Sequence, residues 1–371
     1  MKNARTVLLF EDDKNERPGI IASLKKALPK NVIVIPFLGE GRNKTGTYEA
    51  RILKDFKDEI AQAELIICDQ DLSTISPSYS GLSAQVITAI AHTEGIPIAL
   101  YGRGPEDYMM KRMKERRPFL ERRFILHLDS EGWDADKFAK KARIILDGCQ
   151  KIRLFIEAHL GKGGKKESDG TPAKWMSRLL DKPEIINRLG LYGSSDQHYL
   201  SSLVSSSKRG FAAKAVRVFA AELSYWLWDS ILRFPGITVN TVAAASALNL
   251  SQAAWEHADT QALFAPAIYR GPFGVDKKFW WRDELQSIVE KNGVEDGFQL
   301  LKLKKRKHAE ASSCSVKPTL PAGYYCMLTE KPVALENSYG DIPYFPAGAD
   351  LARISRKEFA KVAPWAGLKV S

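Results

Sequence analysis

Thr6-Val-Leu-Leu-Phe-Glu-Asp-Asp13 is a short, largely apolar run that ends in three consecutive acids, and Glu64-Leu-Ile-Ile-Cys-Asp69 is a second that ends in one. Such runs are too brief for buried helices, and Val, Leu and Ile without polar alternation read as strands covered on both faces. Strands of that kind build parallel α/β sheets, in which ligands gather beyond the carboxyl ends of the strands. If the two strands are neighbours, Glu11, Asp12 and Asp69 meet at one point. Carboxylates so crowded are tolerable with a cation or a shared proton among them. Magnesium is the natural occupant, because it accepts a few carboxylates and keeps its other positions for water and phosphate oxygens.

The flanking sequence supplies the remainder of such a sheet. Residues 6–10, 32–36, 64–68, 96–100 and 124–128 read as five strands, and residues 20–28, 81–92, 105–116 and 134–160 as helices around them. An extra polar helix is expected within residues 39–62. The expected fold class is α/β: a doubly wound five-stranded parallel sheet over residues 1–160, followed by a mainly α-helical domain and a small mixed or β C-terminal segment. Residues 161–172, rich in Gly, Lys and Ser, read as the linker; the helical domain spans residues 173–303, and a basic connector opens the last segment, 304–371.

Read together, the two acid-terminated strands resemble the receiver domain of two-component response regulators. In that family the first strand ends in an acidic pair that holds magnesium, and the third ends in an aspartate that accepts a phosphoryl group from a histidine kinase. Leu8-Leu-Phe-Glu-Asp12 matches the first element and makes Glu11 and Asp12 the pair, with Asp13 just beyond it; Glu64-Leu-Ile-Ile-Cys-Asp69 matches the second and makes Asp69 the phosphoacceptor. The resemblance thus implies a receiver-like fold, magnesium on Glu11, Asp12 and Asp69, and a histidine kinase or other signalling protein as partner. It covers about two-fifths of the chain, and the order and spacing of the motifs carry it rather than either motif alone.

Two positions depart from the family. A Ser or Thr at the end of strand four couples phosphorylation to the next helix, whereas Leu100-Tyr-Gly-Arg103 offers Tyr101 and Gly102 there. A Lys at the end of strand five pairs with the phosphoryl group, whereas Phe124-Ile-Leu-His127 places His127 there, a cation only when protonated. Tyr101 and His127 therefore join Asp69 as candidate reacting-site residues, and Arg103 is a substitute cation for the missing lysine. The loops around residues 39–62 and 73–80 are also longer than the family's, which remodels the rim of the pocket.

The basic excess belongs to the later part of the chain. Of the net charge of +11, residues 1–150 contribute little, with 24 Lys and Arg against 22 Asp and Glu. Within the later part, residues 242–258 can be read as a helix-turn-helix, with Ala245 at the helix crossing, Asn249 in a left-handed turn and Leu248, Leu250 and Trp255 buried. Its second helix presents Gln252, Glu256, His257 and Asp259, with no Arg or Lys for phosphate or guanine, so two ordinary packed helices remain the plainer reading. Lys304, Lys305, Arg306 and Lys307 could meet nucleic-acid phosphates or form a solvated connector. Tyr225-Trp-Leu-Trp228 and Phe279-Trp-Trp-Arg282 read chiefly as core.

Composition narrows the field further. The 371 residues are 44% hydrophobic and 27% charged, ordinary for a globular chain with two or three domains. Apolar runs fall far short of the ~20 residues that span a bilayer, so a cytoplasmic protein without a membrane partner is expected. Cys68, Cys149, Cys314 and Cys326 are scattered without a CxxC, which argues against a disulfide framework or a four-thiolate zinc site. No Gly-rich phosphate loop, HExxH or GxSxG is present, and His198, His257 and His308 stand apart in the sequence. Three functions remain open: a signalling protein whose receiver or pseudo-receiver, phosphorylated at Asp69 or docked by a partner, controls a C-terminal effector; a DNA-binding transcriptional regulator; and an interaction scaffold or an enzyme without a recognised motif.

Overall fold

The computed structural model describes residues 5–38, 45–72, 75–102, 122–127, 134–160, 171–193, 202, 213–274, 278–343 and 345–366. The helix expected over residues 105–116, Arg103, His198, Leu128 and linker residues 161–170 lie outside the described residues. The chain divides into two compact units, each taken by itself: Met1–Glu106 with Arg122–Pro172 and His198–Trp226, and the remainder.

The first unit opens β1 (Arg5–Phe10), α1 (Arg17–Ala27), β2 (Val32–Pro36), α2 (Tyr48–Asp55), α3 (Lys57–Gln62), β3 (Ala63–Asp69) and α4 (Ala84–Glu94). It continues with β4 (Ile98–Gly102), β5 (Phe124–His127) and α5 (Ala135–Leu160). All neighbouring strands are parallel, in the order β2-β1-β3-β4-β5. This is the doubly wound, receiver-like sheet, and its strand order reverses at β1 and β3, the point where ligands sit in such folds. Val7, Leu9, Leu65, Ile67, Ile98 and Ala99 are fully buried, which explains why the central strands read as unbroken apolar runs.

Strand β4 lies two residues later than the apolar pattern of residues 96–100 suggests. Gly95 ends α4 in the left-handed conformation (φ +66°), and the Ile96 N–H bonds back to the Ala91 carbonyl, so Ile96 closes the helix instead of opening the strand. Pro97 offers no N–H, and the ladder begins at Ile98. The shift draws Tyr101 into the strand, opposite Asp69 of β3.

After α6 (Pro172–Leu179) and α7 (Ile186–Leu189), the chain returns to the first unit with α8 (Ala213–Trp226), a helix that pattern alone placed with the distal helical region. It packs along α5 and α4. The Tyr225 hydroxyl accepts the Ile98 backbone N–H, and Arg217 donates to the Ala61 and Ala63 carbonyls. The approach at Gly95 is so close that a Cβ there would stand 2.4 Å from the Val218 nitrogen.

The second unit is mainly helical with a small mixed sheet. It holds β6 (Thr238–Asn240), α9 (Thr241–Ala247), α10 (Gln252–Glu256), α11 (Ala258–Leu263), β7 (Phe279–Trp281), α12 (Arg282–Glu290) and α13 (Gly297–Leu303). Strands β8 (Tyr324–Cys326), β9 (Pro332–Val333), β10 (Ser338–Tyr339) and β11 (Ala352–Ser355) form one sheet in the order β10-β11-β8-β9, and α14 (Arg356–Ala366) follows. The β8–β11 pair is parallel and its neighbours antiparallel. The Trp-rich segments fill cores: Trp226 in the first unit, and Trp255 against Trp280 at 5.0 Å in the second, are fully buried. Among the described residues, no helix is long and apolar enough to cross a membrane.

Gly95→Ala is expected to destabilise the first unit by about 3 kcal/mol or more, since it adds left-handed strain to a backbone clash. Gly81→Ala, also at positive φ (+82°) but with no atom nearer than 4.0 Å, is expected to cost about 1 kcal/mol. Urea unfolding followed by far-UV circular dichroism measures both, and equal losses would show that α8 does not rest on Gly95.

Candidate functional site

The carboxyl edge of β1 and β3 gathers the acids. Glu11 follows β1 directly and is 1% exposed, while Asp12 and Asp69 are half-buried. One carboxylate oxygen from each of Glu11, Asp12 and Asp69 can be chosen so that all three lie within 4.8 Å of one another. Ligand oxygens around an octahedral magnesium stand ~3.0 to ~4.2 Å apart, so a small closure of side chains suffices. The three carboxylates therefore form a group able to hold a metal ion.

The three acids after β1 have different duties. Asp13 Oδ1 accepts the Asn15 and Glu16 N–H groups, and its carbonyl accepts the Arg17 N–H, so it shapes the entry to α1 instead of facing the pocket. Arg17 clamps the turn through two bonds to the Glu11 carbonyl, at 2.7 and 3.1 Å. Glu11 Oε1 accepts the Asp13 N–H at 2.8 Å, and Oε2 accepts the Tyr101 hydroxyl at 2.5 Å. A buried carboxylate needs this compensation, since an unpartnered one costs several kcal/mol.

Tyr101 is thus part of the pocket. It stands in register with Asp69, its ring meets Phe138 of α5 edge-on at 5.3 Å, and its hydroxyl is committed to Glu11. Burial, followed by the nearby negative charges of Glu11 and Asp69, pushes its phenol far above the ordinary range, so it remains a neutral donor. His127 ends β5 opposite Gly102 of β4, one strand further from the acids than Tyr101. Cys68, wholly buried beneath the site, has a thiol pushed well up by burial and by Asp69.

The Asp69 carboxyl is raised well above the ordinary aspartate range. Burial pushes its carboxyl up to about 7; the Asp71 N–H, which it accepts at 3.2 Å, opposes the rise, and the charges of Glu11 and Asp12 reinforce it.

In the second unit, Asn249 takes the left-handed conformation (φ +55°) and Leu248, Leu250 and Trp255 are buried, as the helix-turn-helix reading of that turn requires. Helix α10 has only five residues, however, and His257 is extended. Lys304, Lys305 and Lys307 are exposed, and Arg306 pairs with Asp259 at 2.9 Å. His257 and His308, far apart in sequence, stack at 3.6 Å; no local motif could have signalled that pairing. Cys314 and Cys326 are buried free thiols.

The raised Asp69 carboxyl makes stability depend on pH. An unfolded aspartate titrates near ~4 and the folded one at about 7, so in between the folded unit holds a proton that the unfolded chain has released. That contribution is full below the lower value and is lost as pH rises to the upper one. In cation-free buffer Asp69→Asn is expected to melt several degrees higher than the parent at pH 8, with the gap closing as pH falls towards 4. A gap independent of pH would contradict the assignment. No family model matches this chain, and no curated protein or solved structure is significantly similar to it.

Proposed function

We propose that the first unit is a phosphoacceptor module of receiver type that controls the second unit as its effector. The observation that carries this reading is the convergence of Glu11, Asp12 and Asp69 at the strand-order reversal of a receiver-like sheet. Three carboxylates without sulfur or imidazole suit a hard cation, and magnesium is the one that accepts so few protein oxygens and leaves room for phosphate. When bound, magnesium neutralises charge on the incoming phosphoryl oxygens.

The chain's own residues supply the remainder. Asp69 Oδ attacks phosphorus in line, forming an acyl phosphate as the bond to the donor breaks and the donor leaves with its electron pair. The donor is a histidine kinase's phosphohistidine or a small acyl phosphate. Asp12 and Asp69, the less buried acids, are the accessible ligands; Glu11 lies behind them, held by Tyr101. Tyr101 fills the place of the family's Ser or Thr, so the pocket answers phosphorylation through a tyrosine already bonded to a pocket acid. The same face serves a signalling partner that docks on the occupied site.

Incubation with acetyl phosphate and magnesium is expected to add one acid-labile phosphoryl group, detected by intact mass and absent from Asp69→Asn. Asp12→Asn is expected to weaken magnesium binding about tenfold or more in a calorimetric titration. No adduct, or one that persists in Asp69→Asn, would remove the reading.

A further inference from the structure

Helix α8 stands beyond the Gly/Lys/Ser-rich stretch and yet is built into the first unit. Its attachments are numerous and specific. Lys214 pairs with Glu94 at 2.8 Å, Arg217 holds the carbonyls of Ala61 and Ala63, and Glu222 meets Arg122 at 3.3 Å. Tyr225, fully buried, accepts the Ile98 N–H at 2.9 Å, and its ring lies 5.1 Å from Phe124 of β5 and 6.1 Å from His92 of α4. The helix thus grips the amino-terminal ends of β3, β4 and β5, opposite the acidic pocket.

One short strand connects the two places. Strand β4 carries Tyr101, bonded to Glu11, near one end and Ile98, bonded to Tyr225, at the other, ~10 Å apart. Every residue from Ile98 to Tyr101 is buried, with exposure of 2% or less, so a displacement of the strand is passed to the side chains packed around it. Glu11 Oε2 accepts the Tyr101 hydroxyl, so a cation drawing on Glu11 takes electron density from the oxygen that holds Tyr101, and the strand that carries Tyr101 feels the change. Beyond Trp226 the chain passes directly into Leu227–Ile231, the first of the later residues in the second unit.

We infer that α8 is the output helix of the first unit, reading the state of the acidic pocket through β4 at the contact between Tyr225 and the Ile98 backbone. The inference rests on the phosphoacceptor reading of that pocket. It assigns the coupling to two tyrosines at opposite ends of a buried strand, and it makes Tyr225 a positioning residue that touches neither cation nor phosphoryl group.

Hydrogen exchange on the full chain, with and without magnesium and beryllofluoride, tests it. These probes are expected to protect the peptide containing Asp69 and to change exchange of Ile98 and of residues 213–226 by about fivefold or more. Tyr225→Phe, which removes only the accepting oxygen, is expected to exchange Ile98 rapidly without the probes and to show no further change with them. A protected Asp69 peptide with Ile98 and α8 unchanged in the parent chain overturns the inference and leaves the pocket intact. No response at Asp69 overturns the pocket reading and this inference with it. The parent-chain comparison decides the matter even if Tyr225→Phe does not fold.

Discussion

The carboxylate of Glu11 is buried at the carboxyl edge of the first unit's sheet, and much else follows from keeping it there. An uncompensated buried charge would cost several kcal/mol, comparable with the whole stability of a domain this size. Two donors offset that cost, the Asp13 N–H in the turn after β1 and the Tyr101 hydroxyl from β4. The first fixes the local turn, and the second ties β1 to a strand that is not its neighbour, across β3. A one-residue slip of β4 would turn Tyr101 away and leave Glu11 short of a partner, so the polar contact and the apolar ladder specify the same register.

That arrangement separates the acids by duty. Asp13 is spent on the entry to α1, Glu11 on the interior bond, and Asp12 and Asp69 remain at the half-buried surface. A serine or threonine at position 101 would have too short a side chain to span to Glu11 from the same backbone place. A tyrosine reaches it, but its ring then occupies the space beside Phe138, so position 101 becomes part of the core.

The parallel sheet and the acid-terminated strands were legible because both are local: each acid follows its apolar run at once, and the runs are short and unalternated. The start of β4 was not, because Ile96 and Pro97 look like strand residues and are claimed by the helix closure at Gly95. The role of Tyr101 was half legible. Its position at the strand end marked it, but its partner lies 90 residues away and no spacing rule connects them. Helix α8 was legible as a helix and not as a member of the first unit, since its amphipathic pattern says that a face is buried without saying against what. The left-handed Asn249 was readable from the turn chemistry of Asn, whereas the early end of α10 at His257 had no breaker residue to announce it.

The two edges of the first unit differ in their polar groups for a common reason. In a parallel sheet with crossover helices, helix amino termini come to the carboxyl edge of the strands and helix carboxyl termini to the other. The carboxyl edge, bathed in positive helix ends, is where Glu11, Asp12 and Asp69 can be crowded together. The amino edge collects unsatisfied carbonyls, and arginines answer them: Arg143 donates to the Ala27 carbonyl at the end of α1, and Arg217 to Ala61 and Ala63 at the end of α3. Arg5 and Arg153 close on Glu64 beside them and, against the opposing effect of its burial, hold that carboxyl below its ordinary value. Helix α8 is seated on this carbonyl-rich edge through its own Arg217, with Lys214 on Glu94, so the backbone polarity that makes the acidic pocket possible also provides the footing for the helix at the other end of β4.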